Sequence, residues 1–118
     1  MEYKDLEVWI EARKLTKLVY DSTKSYPKEE IFGLTNQMKR SSVSVPSNIA
    51  EGCGRNTAKE TTHFLFIARG SLFELETQFY LSLDLAYINN EDFKIISNQI
   101  ILCKKLINGF INYYRTKQ

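Results

Sequence analysis

The apolar residues between positions 93 and 114 constrain the fold of this chain more than any other feature. They alternate at spacings of three and four residues and comprise Phe93, Ile96, Ile100, Cys103, Ile107, Phe110 and Tyr114. This alternation draws one apolar seam along a long α-helix, and the seam has to pack against other helices. Its heptad form is typical of helices that cross at about 20° in bundles. We therefore predict a helix over residues 90–116.

Three amphipathic segments precede that helix. The helical periodicity of their apolar residues predicts helices at about 5–25, 28–52 and 57–87. Only five glycines and two prolines are present, which argues against an all-β fold rich in tight turns. A chain of 118 residues has room for one core. The predicted fold is a single all-α domain over residues 1–118, an antiparallel up-down-up-down four-helix bundle.

Pro46 is the irregular point of the second predicted helix. It cannot donate to the carbonyl of Ser42, and an interior proline costs a helix about 3 kcal/mol. Because the apolar phase continues beyond it, we predict a kink in one continuous helix from about residue 28 to residue 51. The freed carbonyl needs another donor, and Asn48 is a nearby candidate.

A polar ridge runs along the same helix. Arg40, Ser44, Ser47 and Glu51 recur at spacings of four, three and four. We interpret it as a structural hydrogen-bond network, because Arg40 and Glu51 are too far apart on one helix to pair directly. The glycines of residues 52–54 are expected to end the helix with a left-handed cap.

A second apolar stripe on the third helix is not explained by one core. Phe66, Phe73, Tyr80 and Tyr87 recur every seven residues on the side opposite the predicted core face. We interpret the stripe as a subunit interface, which predicts a homo-oligomer. The alternative is a stripe that is partly exposed or wrapped by neighbouring helices of the same chain.

No pattern in the chain predicts catalysis. His63 is the only histidine, and although Glu60 and His63 spell ExxH, a di-iron bundle needs two such motifs and two further glutamates. Phosphate-binding, serine-nucleophile and dinucleotide motifs are absent from the sequence. We therefore predict a non-enzymatic protein with no catalytic residue, metal ligand, cofactor or small-molecule substrate.

The distribution of cysteines and apolar segments predicts a cytoplasmic protein. Cys53 and Cys103 are far apart in the sequence and are expected to be buried thiols, with a disulfide as the alternative. The amino-terminal residues have no apolar signal core, and no apolar stretch approaches the roughly 20 residues that span a bilayer. No membrane association is predicted.

Charge is distributed unevenly, although the net charge is only +2. Residues 89–118 contain five basic and two acidic side chains. Lys104 and Lys105 in this segment are candidates for contacts with RNA or DNA phosphates. Arg55 and Lys59 are further candidates, because they flank the start of the third helix, where free amides attract anions. Ordinary solvated helix faces are the alternative explanation.

Five segments, which together extend over most of the chain, carry a family resemblance. They comprise residues 5–9, 26–30, 32–37, 40–52 and 64–75, and include SVPSNIAEG and IARGSLFEL. In this order they resemble the bacterial four-helix-bundle family encoded in intervening sequences of 23S ribosomal RNA genes. That family is related to the accessory variability determinant of diversity-generating retroelements.

The resemblance implies a ring-like homopentamer of four-helix bundles. It also implies a possible nucleic-acid partner, since the retroelement relative binds nucleic acid and its reverse transcriptase through a basic surface. Two hypotheses follow from these considerations. The first is an oligomer that binds RNA or DNA as an accessory factor, and the second is a protein-interaction scaffold with no nucleic-acid role.

Overall fold

Four helices form the computed structural model, which describes residues 2–118. They are α1 (Glu7–Thr23), α2 (Leu34–Cys53), α3 (Ala58–Asp84) and α4 (Asn90–Arg115), with short 3-10 turns at Tyr3–Asp5 and Lys28–Glu30. Each helix packs against the next, and α1 also packs against α4, which closes the bundle. The predicted all-α four-helix bundle is confirmed.

The core takes about one apolar residue from each helical turn. On α4 the fully buried side chains are Ile96, Ile100, Cys103, Ile107 and Ile111. The predicted seam placed Phe93, Phe110 and Tyr114 inside, but all three are only half-buried. An α-helix drifts by about 20° per heptad relative to a strict seven-residue repeat. Over the length of α4 this drift brings Ile111 into the core and turns Phe110 towards the rim.

The second helix begins at Leu34, so the predicted continuous helix from residue 28 is wrong. Lys28–Glu30 forms a separate 3-10 turn, and Gly33 has a non-helical backbone. The Glu30 carboxylate caps α2 from outside the helix, because the Leu34 amide donates to it at 3.1 Å. The Tyr87 hydroxyl donates to the other oxygen of the same carboxylate at 2.8 Å. A contact between distant segments therefore sets the start of α2.

From Leu34 onward, α2 runs without a break through Pro46. Pro46 has no backbone N–H to donate to the Ser42 carbonyl. This carbonyl accepts instead from the Thr16 hydroxyl of α1 at 2.9 Å. The prediction that Asn48 would donate to this carbonyl is wrong. Its amide donates to the Ser44 carbonyl at 2.8 Å.

Other helix ends differ from the predictions in cap conformation or in position. At the end of α2, Gly54 is right-handed with φ −85°, so the predicted left-handed cap is wrong. The Thr61 hydroxyl of α3 donates to the Gly52 carbonyl at 2.8 Å and closes this end. The left-handed residue lies at the end of α3, where Ala86 has φ 60°. This turn ends α3 at Asp84, three residues earlier than predicted, and α1 is shorter than predicted by two residues at each end.

The starts of α3 and α4 follow from ordinary capping residues. The Thr57 hydroxyl accepts from the Glu60 amide at 3.1 Å, and the Asn89 side chain accepts from the Asp92 amide at 2.8 Å. Both residue types are favoured at this position because they satisfy an amide that has no partner within the helix. Within residues 2–118, no helix is long and apolar enough to cross a membrane.

Candidate functional site

One edge of the contact between α2 and α3 is polar. The Ser41 hydroxyl donates to the Glu74 carboxylate at 2.7 Å. One turn further along, Ser44 accepts from the Ser71 hydroxyl at 2.8 Å and from the Asn48 amide at 2.9 Å. Small hydroxyl side chains therefore line the contact where most helix pairs of a bundle would place apolar residues.

A groove of about 530 Å³ opens beside these hydroxyls, between α2 and α3. Besides the serines, its lining consists of Phe32, Asn36, Gln37, Arg40, Glu74 and Gln78. We call it the α2–α3 groove. It combines three primary amides, one guanidinium and one carboxylate with a single aromatic ring.

Two side chains of the α2–α3 groove are in unusual environments. Gln78 is 5% exposed, and its side-chain oxygen is buried without a hydrogen-bond partner. Phe32, on the loop before α2, is 95% exposed. An unpaired buried acceptor and a fully exposed phenyl ring both cost free energy in the isolated chain. Both would gain from a bound partner.

The sequence-predicted structural residues are distributed along α2. Arg40 is exposed at the groove and has no ion pair within the described part of the chain. Glu51 pairs with Arg55 at 3.6 Å, one turn further on, instead of joining a network with Arg40. The predicted ridge is thus divided, and only Ser44 joins the hydrogen bonds between α2 and α3.

The aromatic stripe of α3 is covered at its ends and open in its middle. Phe66 is half-buried, with the guanidinium groups of Arg69 and Arg115 at 4.8 and 5.1 Å from its ring. Tyr87 is half-buried beyond the end of α3. Phe73 and Tyr80, between them, are 52% and 54% exposed.

The open middle belongs to a wider apolar surface on α3. We call it the outer face of α3, and it consists of Ile67, Gly70, Phe73, Thr77, Tyr80 and Leu81, all exposed. Gly70 lies in mid-helix, and a Cβ atom there would meet nothing within 4 Å. A mid-helix glycine costs about 1 kcal/mol relative to alanine, and nothing within the chain requires it here.

Two of the four predicted nucleic-acid contacts are occupied within the chain. The Lys104 ammonium lies 2.7 Å from the Glu76 carboxylate and 4.3 Å from the centre of the Phe73 ring. Arg55, besides its pair with Glu51, covers the Phe64 ring at 4.5 Å. Such contacts reduce the charge that a side chain offers to a phosphate.

The other two predicted contacts, Lys59 and Lys105, are exposed and have no ion pair between residues 2 and 118. The four candidates do not form one compact patch. Lys104 is level with Glu76, which is 17 residues beyond Lys59 on α3. That separation is about 26 Å along the helix.

A further basic surface, on α1 and α2, was missed by the sequence analysis. Residues 13–50 contain seven basic and three acidic side chains, a larger surplus than that of residues 89–118. Arg13 and Lys17 border a shallow apolar cavity of about 380 Å³ over Val43. The Lys39 ammonium lies 5.0 Å from the centre of the Tyr20 ring. A count of charges over α1 and α2 would have revealed this surface.

The remaining reactive side chains do not form a site. Cys53 and Cys103 are free thiols, and burial raises the pKa of Cys103 to about 12. His63 is exposed and packs edge-on against Phe64. No group of three or more potential metal ligands was found among residues 2–118.

Comparisons with known proteins agree with this fold. The profile of the family described as 23S rRNA-intervening sequence protein matches residues 4–109. The fold is similar to the 1.70 Å crystal structure of a protein with unknown function from the S23 ribosomal protein family of Bacteroides thetaiotaomicron VPI-5482. That comparison has a TM-score of 0.81 and 23% sequence identity and covers 89% of this chain and 95% of the other. No curated protein matches the chain. Since the family profile extends over most of its length, the chain belongs to the 23S rRNA-intervening sequence protein family.

Proposed function

We propose that this is a non-enzymatic, cytoplasmic protein whose homo-oligomer binds RNA or DNA without sequence preference, as an accessory factor. A pentamer is favoured by the family resemblance. The outer face of α3 is the observation that carries the proposal, because its large apolar side chains are about half exposed to solvent in the described chain. Exposed apolar surfaces of this kind are typical of protein–protein contacts.

The residues of the outer face of α3 are suited to packing against another helix. Small residues, Gly70 and Thr77, alternate with Phe73 and Tyr80 along it. Small positions allow another backbone to come close, while the aromatic rings supply most of the buried area. Each ring is already about half buried, so burying the rest against a neighbouring copy would contribute about 1–1.5 kcal/mol.

Light scattering on the wild type and on Phe73→Glu tests the assembly. We expect an oligomer for the wild type and a smaller species for the variant, because moving a carboxylate from water into an apolar interface costs free energy. Circular dichroism has to show that the variant remains helical. A monomeric wild type at micromolar concentration would overturn this part of the proposal.

Gly70→Ala tests the same interface with a smaller change, a single methyl group. The added methyl group meets open space within the chain, so it should stabilise the isolated bundle, by up to about 1 kcal/mol. If another backbone packs on Gly70, the same methyl group should weaken assembly. Gly109→Ala is the matched control, since Gly109 also lies in mid-helix with open space around it but on α4. Equal assembly of both variants would argue against a close helix contact at Gly70.

Nucleic-acid binding is supported by the cations that remain free. Lys59 and Lys105 are exposed and unpaired within the described residues, and an oligomer would repeat them around the assembly. A few phosphate contacts per subunit then combine into useful avidity. Phosphate contacts carry no sequence information, so this binding should be non-specific.

Fluorescence anisotropy with labelled RNA and DNA tests the binding directly. Affinity should fall steeply between about 50 and 200 mM salt, because bound phosphates release counterions. Lys59→Gln with Lys105→Gln should weaken binding more than the matched pair Arg55→Gln with Lys104→Gln, whose side chains are already in ion pairs. Both double variants should keep the oligomer mass.

A protein-interaction scaffold with no nucleic-acid role is the second candidate. The ion pairs of Arg55 and Lys104 favour it, since they leave few free cations on these two surfaces. If neither RNA nor DNA binds at tens of micromolar protein in low salt, the scaffold is the better explanation.

A further inference from the structure

We propose that the α2–α3 groove binds a guanine base of single-stranded nucleic acid. This inference rests on the proposed nucleic-acid binding and gives it a specific component. It also places that component on a surface other than the lysines of α3 and α4.

The charge of the groove excludes a simple phosphate site. Arg40 and Glu74 are its two charged lining residues, and their charges cancel. A carboxylate in the same groove would repel a bound phosphate. A neutral ligand with both donors and acceptors matches such a lining better.

The donors and acceptors of the groove match one base better than the others. Glu74 uses one carboxylate oxygen for the Ser41 hydroxyl, and its second oxygen is available to accept. Guanine presents two adjacent N–H donors on its Watson–Crick edge, with a carbonyl acceptor beside them. A carboxylate can accept from such donors, and arginine is the side chain that most often donates to the guanine carbonyl. Glu74 and Arg40 together supply both functions.

The two unusual side chains of the groove find partners in the same ligand. Phe32 is 95% exposed at the mouth, and unstacked bases commonly pack on such rings in single-stranded complexes. The side-chain oxygen of Gln78 lacks a donor and is buried from solvent in the free chain, so Gln78 has to turn towards the groove to take part. It would then accept the second hydrogen of the exocyclic amino group of guanine. A bound base would thus satisfy the unpaired acceptor and cover the exposed ring.

The basic surface of α1 and α2 offers a path for the strand that carries the base. Lys39 immediately precedes Arg40, and Lys17 and Arg13 extend the row along α1. These side chains can hold phosphates, while the neutral groove takes the base. A second copy of the chain is the competing occupant, since an exposed phenylalanine could also insert into a neighbour.

The test compares two oligonucleotides, a uridine oligomer and the same oligomer with one central guanosine. A single guanosine avoids quadruplex formation, so a difference in affinity reports the base itself. We expect the wild type to bind the guanosine oligomer about tenfold more tightly by anisotropy. Glu74→Gln should abolish this preference, so that the guanosine and uridine oligomers bind with equal affinity. The glutamine can still accept from Ser41, so the fold should be kept.

Two more variants test whether these side chains bind the base or only stabilise the fold. Phe32→Ala should weaken binding of the guanosine oligomer by about tenfold, whereas Ile31→Ala, a half-exposed neighbour outside the groove, should change it by less than about twofold. Gln78→Leu removes an unpaired polar atom from the free protein, so its melting temperature should stay equal or rise. The guanosine preference should nevertheless be lost.

Three outcomes would overturn the inference. Equal affinity for the two oligomers would overturn the guanine site alone, and failure to bind either would overturn the proposed function with it. If Phe32→Ala lowers the oligomer mass while the wild type shows no guanosine preference, the groove is a contact between copies of the chain.

Discussion

The inner face of α4 is packed with apolar side chains, whereas the contact between α2 and α3 includes a polar edge. On α4, isoleucines and one cysteine fill the core, and none of their side chains needs a hydrogen bond except the weak thiol. Between α2 and α3, serines pair with one another and with Glu74, and a groove remains open. Apolar packing stabilises a bundle in proportion to the area it buries. Hydrogen bonds within the protein replace hydrogen bonds to water, so they contribute little net free energy. The difference suggests that the polar edge of the α2–α3 contact contributes less to stability than the α4 core and is open to a partner.

The largest expected effect comes from truncating a buried side chain in the α4 core. Ile107 is fully buried, so Ile107→Ala should lower the free energy of unfolding by about 2–5 kcal/mol. Ser44→Ala, in the α2–α3 contact, should cost about 1 kcal/mol. Urea unfolding of the two variants at the same protein concentration measures the difference. If Ser44→Ala costs as much as Ile107→Ala, the α2–α3 contact is not the weaker part of the bundle.

An intermediate effect is expected where one hydrogen bond has no substitute. Thr16→Val removes the donor to the Ser42 carbonyl, and leaving that buried acceptor unpaired should cost about 1–3 kcal/mol. Pro46→Ala restores a backbone donor to the same carbonyl, so Thr16→Val should cost much less in the Pro46→Ala background. A double-mutant cycle by urea unfolding checks this coupling. Additive effects of the two substitutions would show that the hydroxyl is not the partner that matters.

The smallest expected effect concerns the carboxylate that caps α2. Donation by the Leu34 amide and the Tyr87 hydroxyl lowers the pKa of Glu30 below its ordinary value of 4.5. A group with a lowered pKa stabilises the folded state above that ordinary value, and the contribution is lost as pH falls through the folded pKa. The stability difference between the wild type and Glu30→Gln should therefore shrink from about pH 7 to about pH 3. A difference that stays constant across this range would mean that the charge of Glu30 does not matter.

The sequence predicts the parts of this molecule that depend on near neighbours. The seam of α4 involves residues only three or four positions apart, so the local pattern contains the whole interaction. Ile111 departs from the predicted seam because a strict heptad rotates around a straight helix.

The contacts that sequence reasoning missed join distant parts of the chain. The start of α2 depends on Glu30, which Tyr87 holds from the end of α3. Gln78 and Phe32 come together at the groove from separate elements. Neither contact has a periodic signal, because side chains that meet across helices are related by the fold and not by spacing.

The hydrogen bond from Thr16 to Ser42 has a consequence for how α1 and α2 align. Two amphipathic helices with regular apolar faces can slide past each other by one turn and still bury similar area. Along α2, Pro46 frees one interior carbonyl, and the hydroxyl of Thr16 reaches it at a single axial position. Sliding α1 by a turn would leave that carbonyl without a partner, at a cost of about 1–3 kcal/mol. The proline therefore acts as a register mark, which selects one alignment of the two helices from several that apolar packing alone would accept.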